Sequence, residues 1–204
     1  MRQRRAGPQQ MQQTIRETKQ ALRNQVRAAV ARMEPGERVA ASTQACAVLE
    51  ARAQWRTAQW VLFFAPLPRE LDVWPLLTVA LSAGKRVALP RFVAKTGTYE
   101  ACQILDPKLD LQVGQFGIRE PHSRCAPLPS ISLDLILVPG VAFDLHGRRL
   151  GRGNGYYDQL LKGLRGKTCG VAFDQQIVGE IPVEPHDVRL DCILTPTRWI
   201  ELSR

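Results

Sequence analysis

Apolar residues at Ile15, Leu22, Val26, Ala29 or Val30, and Met33 recur at helical spacing and predict an amphipathic helix from about Thr14 to Met33. Glu34-Pro35-Gly36 stops it, and a second helix follows from about Glu37 to Ala53. Trp60-Val-Leu-Phe-Phe-Ala65 is a short continuous apolar run and reads as a buried strand. Asp72 to Ala83 reads as a helix with Asp72 at its N-cap. Gly84-Lys-Arg leads into a strand at Val87–Pro90, and Tyr99 to Leu105 forms another. A proline-rich, loop-rich stretch then runs through Pro129. Leu133–Val138, Thr168–Phe173 and Cys192–Thr195 complete the strands, and a helix spans Tyr156 to about Leu164.

Strands alternating with helices predict an α/β fold, a single layered domain with a largely parallel sheet flanked by helices. Ligands of such sheets sit beyond the carboxyl ends of the strands. The segments after Ala65, Pro90, Val138 and Phe173 therefore form the expected rim of a site. There is no internal repeat. The expected domain covers residues 14–204, behind a basic, disordered leader at residues 1–13 that carries Arg2, Arg4 and Arg5 among glutamines.

Composition narrows the partners. With 204 residues, 45% hydrophobic and 23% charged, the chain has the profile of one globular domain. A net charge of +9 suits nucleic acid or small anions such as nucleotides and polyglutamates. No basic repeat is interleaved with aromatics, so small anions are expected and nucleic acid is not. The five cysteines are scattered without a CxxC pair, which points to reduced, buried thiols in a cytoplasmic protein. No apolar run approaches the roughly 18 residues that a membrane span needs, and the leader has no apolar signal region. Its Arg-rich, acid-free character is shared with transit peptides, but a frayed basic N-terminus is the expectation.

The most informative segment is Gly147-Arg-Arg-Leu-Gly-Arg-Gly-Asn-Gly-Tyr-Tyr-Asp158. It lies between the strand at 133–138 and the helix from Tyr156. Glycines let the backbone approach a ligand closely, and loop N–H groups beside a helix start favour anions. Arg148, Arg149 and Arg152 add positive charge where a phosphate would lie. Such a loop alone is as often a tight turn, and it fits neither the Walker A nor the dinucleotide fingerprint. The company of arginines, a tyrosine pair and Asp158 favours phosphate binding.

These residues resemble the signature of the 5-formyltetrahydrofolate cyclo-ligase (methenyltetrahydrofolate synthetase) family. The resemblance runs from Lys19-Gln-Ala-Leu-Arg23 through Glu70, Phe116-Gly-Ile-Arg-Glu-Pro121, Pro139-Gly-Val-Ala-Phe-Asp144 and Ala172-Phe-Asp-Gln175. It closes with Pro182-Val-Glu-Pro-His-Asp187 and Leu190-Asp-Cys-Ile-Leu-Thr195. It implies ATP- and Mg²⁺-dependent conversion of 5-formyltetrahydrofolate, with or without a polyglutamyl tail, to 5,10-methenyltetrahydrofolate; the sequence does not give the oligomeric state, and a monomer is the default expectation. ATP would phosphorylate the formyl oxygen and N10 would close the ring. Such chemistry asks for positioning and charge neutralisation rather than a protein nucleophile.

The resemblance implies ATP contacts at Lys19 and Arg23, which share a helix face, and along Arg149, Leu150, Gly151, Arg152, Gly153, Asn154, Gly155, Tyr156 and Tyr157. Folate would touch Ala65, Glu70, Phe116 and the Arg152–Tyr156 part of the loop. Asp158 and Asp187 match the metal-binding acids, with the hard oxygens that Mg²⁺ prefers. His186 is a tempting acid–base group, though a surface histidine is the safer expectation. Asn154 departs from the Gly or Lys that family members carry, so any charge needed there falls to Arg148 or Arg152. Two rivals remain on sequence alone. One is an RNA-binding relative on the same scaffold. The other is a sugar-phosphate isomerase or coenzyme A transferase of similar layering.

Overall fold

The computed structural model describes residues 8–114, 117–128, 132–184 and 187–203. Phe116 and His186 lie outside them. The helices are α1 (Pro8–Ala31), α2 (Pro35–Glu50), α3 (Ala53–Thr57), α4 (Trp74–Ser82) and α5 (Tyr156–Lys162). The strands are β1 (Trp60–Leu62), β2 (Arg86–Val93), β3 (Thr98–Ile104), β4 (Leu111–Val113), β5 (Arg119–Pro121) and β6 (Ser132–Val138). They continue with β7 (Ala142–Asp144), β8 (Arg149–Leu150), β9 (Arg165–Val171), β10 (Ile177–Val178), β11 (Cys192–Leu194) and β12 (Trp199–Glu201).

Among the described residues, a seven-stranded sheet has the order β12-β11-β9-β6-β1-β2-β3. The inner strands pair in parallel, and the edge strands β3 and β12 are antiparallel to their neighbours. From β1 the chain steps through α4 to β2. It later returns to the other side of β1 as β6, then continues outward to β9 and β11. Strand order therefore reverses between β1 and β6, and the crevice beyond their carboxyl ends is where such a sheet offers a binding site.

Double burial explains why these strands lack polar alternation. Val61, Phe63, Leu135 and Leu137 pack on one face with Val26, Leu49, Trp55 and Leu77 of α1–α4. Leu62, Ile136 and Val138 pack on the other with Leu160 and Leu161 of α5. All five cysteines are free and buried in these layers. Burial pushes the Cys46 thiol up to about 11 and that of Cys102 up to about 12. Among the described residues no helix is long and apolar enough to cross a membrane.

Three local expectations are corrected. The first helix starts at Pro8, so residues 8–13 of the expected disordered leader are helical. Proline is tolerated in a first helical turn, glutamine is a good helix former, and Gln13 Nε2 donates to Glu17 Oε1 at 2.9 Å. Pro35 and Gly36 open α2 as well as separating it from α1, while the Glu34 N–H donates to Glu37 Oε2 at 3.1 Å. Asp72 is not the N-cap of α4. That position is Val73, and Asp72 Oδ1 accepts the Trp74 N–H at 2.9 Å, just ahead of the helix.

Candidate active site

The glycine loop is set by a buried acid at the end of β7. Asp144 is 0% exposed. Its Oδ1 accepts N–H bonds from His146 at 2.9 Å and Arg148 at 3.0 Å, and its Oδ2 accepts the Ile181 N–H at 2.9 Å. The turn this creates passes through Gly147 at φ +79°, where a Cβ would lie 2.8 Å from the Leu190 carbonyl. Only glycine fits both the dihedral and the space. The chain then folds back as β8, antiparallel to β7, and releases Gly151–Gly155 over the crevice before α5 begins.

A cavity of about 420 Å³ opens there. The segments after β1 and β6 contribute Ala65, Pro139 and Gly140, β2 contributes Pro90, and the loop contributes Gly151, Arg152, Asn154 and Gly155. Tyr99, Tyr156 and Tyr157 form an aromatic side, with Ile118 and Glu120 of the β5 region nearby. Phe92, Tyr99 and Tyr156 stack edge-on with ring centroids 5.5–5.6 Å apart, and Tyr99 lies 6.0 Å from Tyr157. Burial raises the hydroxyl pKa of Tyr157, with the Glu70 charge adding to it. Burial also raises that of Tyr99, helped by Glu120. Both phenols therefore stay protonated and can donate.

Ion pairs hold the charged side chains. Arg149, with only 3% of its side chain exposed, reaches Asp158 Oδ1 at 2.7 Å. Its guanidinium lies 5.8 Å from the centroid of the Tyr157 ring, and its buried Nε has no hydrogen-bond partner among the described residues. Arg152 bridges to Glu70 Oε1 at 2.7 Å, while Glu70 Oε2 accepts the Leu67 N–H at 3.0 Å. Arg23 Nε donates to the Gly151 carbonyl at 2.9 Å, which ties α1 to the loop. Burial, followed by neighbouring Arg27, lowers the Arg23 pKa, and Glu184 opposes them. Lys19, itself buried, sits between Glu184 Oε2 at 2.8 Å and Asp187 Oδ2 at 3.0 Å.

The model of the 5-formyltetrahydrofolate cyclo-ligase family matches residues 15–196. The chain belongs to that family. It is 34% identical over 145 residues to the 5-formyltetrahydrofolate cyclo-ligase of Escherichia coli K12, covering 69% of this chain and 80% of that one. To the Mycolicibacterium smegmatis cyclo-ligase it is 38% identical over 157 residues, covering 71% and 77%. The NMR structure of Aquifex aeolicus 5,10-methenyltetrahydrofolate synthetase superposes with a TM-score of 0.82 at 32% identity, covering 91% of this chain and 93% of that one.

Of the residues picked out on sequence as cyclo-ligase contacts, Ala65, Glu70, Arg149, Gly151, Arg152 and Asn154 through Asp158 line this one cavity. Lys19 and Asp187 meet each other in a separate ion pair. Leu150 is buried in the core and does not line the cavity; its carbonyl accepts the Val141 N–H at 2.7 Å. Arg148 is a correction. It turns to Glu180 Oε1 at 2.8 Å and the Ile181 carbonyl at 3.2 Å, because its neighbour Arg149 takes the inward position on β8. Tyr99 and Glu120 were not singled out. Glu120 falls in the quoted Phe116–Pro121 segment, whereas Tyr99 carries no sequence signal beyond being an aromatic in a strand.

The two expected metal acids are carboxylates, the donor type that suits Mg²⁺. Among the described residues no three His, Cys, Asp or Glu side chains cluster to hold a metal. A nucleotide-borne Mg²⁺ usually needs only one or two protein carboxylates, with phosphates and water completing it. Asp158, which lines the cavity, is paired with Arg149, and Asp187, which does not line it, is paired with Lys19.

Proposed function

We propose that this cavity converts 5-formyltetrahydrofolate to 5,10-methenyltetrahydrofolate, with ATP hydrolysed to ADP and phosphate. The observation that carries the reading is one crevice, at the strand-order reversal, that joins a carboxylate for a pterin (Glu70), a glycine loop and a buried arginine (Arg149). A formamide oxygen is a poor leaving group. Phosphorylation of that oxygen releases ADP and leaves a phosphorylated imidate carbon. N10 attacks this carbon and loses its proton, and phosphate departs with the C–O bond.

Phosphoryl transfer rests on positioning and charge neutralisation. Arg149, Arg23 and Lys19 supply the charge, and the loop from Gly151 to Gly155 brings N–H groups close. Mg²⁺, held by Asp158 and Asp187, would neutralise charge on the phosphates. The Arg152–Glu70 pair stands across the mouth. A pterin engaging Glu70 frees Arg152, whose side chain is half exposed, to turn toward phosphate. Asn154 supplies a neutral amide donor where a lysine would bring charge.

The reading includes a monomer in the cytoplasm that accepts polyglutamyl substrate. A second cavity of about 230 Å³ shares Glu70, Gly140 and Arg152 with the first and has Arg27 and Arg69 on its rim, which supports an anionic tail there. Arg27→Ala with Arg69→Ala is expected to raise KM roughly tenfold for a polyglutamyl substrate. The monoglutamyl KM should stay nearly constant. Equal loss on both substrates would refute the tail assignment.

The direct test is the absorbance of methenyltetrahydrofolate on mixing purified protein with 5-formyltetrahydrofolate. Product is expected only with MgATP, one ADP per product, and EDTA is expected to stop it. Product without nucleotide, or none from folded protein with MgATP, would overturn the reading.

A further inference from the structure

Three carboxylates line the main cavity, and two of them are neutralised. Glu70 is paired with Arg152 and Asp158 with Arg149. The third, Glu120 of β5, has no cation within ion-pair distance among the described residues. Its neighbour Arg119 also lines the cavity, but its guanidinium is engaged elsewhere, 4.8 Å from the centroid of the Trp74 ring. Strand alternation places Arg119 and Glu120 on opposite faces of β5.

Glu120 is nevertheless held in place. Its Oε2 accepts the Phe92 N–H at 3.3 Å. The carboxyl group also occupies space that opens only because residue 114 is glycine, where a Cβ would lie 2.1 Å from Glu120 Cδ. The aromatic group of Tyr99 and Tyr156 lines the same cavity, and the Glu120 charge acts on the Tyr99 hydroxyl. The result is a fixed acceptor with spare capacity, beside rings that suit a flat heterocycle. A carboxylate left so in a cavity invites N–H donors from a ligand.

We infer that Glu120 is a second acceptor for the folate, engaging an N–H on the edge of the reduced pterin that Glu70 leaves free. This rests on the cyclo-ligase reading of the cavity. A reduced pterin carries N3–H and its 2-amino group on one edge and N8–H on another. One carboxylate can serve one edge, so two carboxylates from different elements fix both the position and the rotation of the ring.

The test compares Glu120→Ala, Glu120→Gln and Gly114→Ala with wild type in the full chain. Steady-state KM is measured for 5-formyltetrahydrofolate and for ATP, and calorimetry gives the Kd of 5-formyltetrahydrofolate without nucleotide. Glu120→Ala is expected to raise the folate KM and Kd roughly 10- to 100-fold, the range of a hydrogen bond to a charged group. The ATP KM should stay within about twofold. Glu120→Gln keeps an acceptor oxygen and falls between. Gly114→Ala keeps the carboxylate but displaces it, and moves the folate KM the same way. Glu120→Ala with an unchanged melting temperature and a folate Kd within twofold of wild type would overturn the inference. An ATP KM rising in step with the folate KM would also overturn it, by showing a general prop. Wild-type protein that binds 5-formyltetrahydrofolate without turning it over would refute the reaction alone, and the Kd series would still judge Glu120. Wild-type protein that binds no folate would refute both.

Discussion

Arg149→Ala is expected to lower kcat/KM for methenyltetrahydrofolate formation at least roughly 10³-fold, in the range that follows loss of a group stabilising transferred phosphoryl charge. Arg149 is the most buried cation in the cavity, with a side chain 3% exposed. A charge in such surroundings acts through little water and is screened less than one at the surface. It also sets its neighbours, holding Asp158 at 2.7 Å and lying over the Tyr157 ring. Arg149→Lys keeps the charge but loses the planar fork, and is expected to fall between wild type and alanine. Progress curves of the methenyl absorbance, read beside melting temperatures, check this. An alanine variant that folds and retains activity within tenfold would show that the phosphate lies elsewhere.

Asp144→Ala is expected to cost about 3–5 kcal/mol of folding stability, enough to unfold a marginal domain. The carboxylate is fully buried and accepts three backbone N–H bonds, of which the one from Ile181 is itself buried. Removing it strands those donors and frees the turn that delivers β8 and the glycine loop. Asp144→Asn retains an acceptor and should cost less, about half as much. Urea unfolding followed by circular dichroism measures both. A change below about 1 kcal/mol for alanine would mean that water replaces the carboxylate and that the turn stands without it.

These two residues differ in how openly the sequence announced them. Arg149 sits in a loop whose glycines and arginines, in company with the tyrosine pair and Asp158, drew attention to it on sequence, and the loop does line the cavity. Asp144 is the last residue of a quoted motif, yet nothing local separates a buried turn-maker from a surface acid. The apolar runs at 60–65 and 133–138 were legible as strands because double burial removes polar alternation, and the parallel sheet followed from the intervening helices. The strand pairs β4–β5 and β7–β8 were not, since two or three residues carry no period. The start of α1 was hidden for a related reason: its first turns are exposed and polar, so no apolar stripe marks them. Tyr99 lies on an edge strand of mixed burial, and only the tertiary packing of β3 against α5 brings it to Tyr156 and Tyr157.

The buried cysteines reach beyond packing. Oxidants and electrophiles attack thiolate, and burial holds Cys46, Cys102, Cys125 and Cys169 in the protonated form while walling them off. None of the five cysteines lines the cavity, and the glycine loop carries none. A thiol-directed reagent therefore meets no cysteine in the cavity of the folded chain.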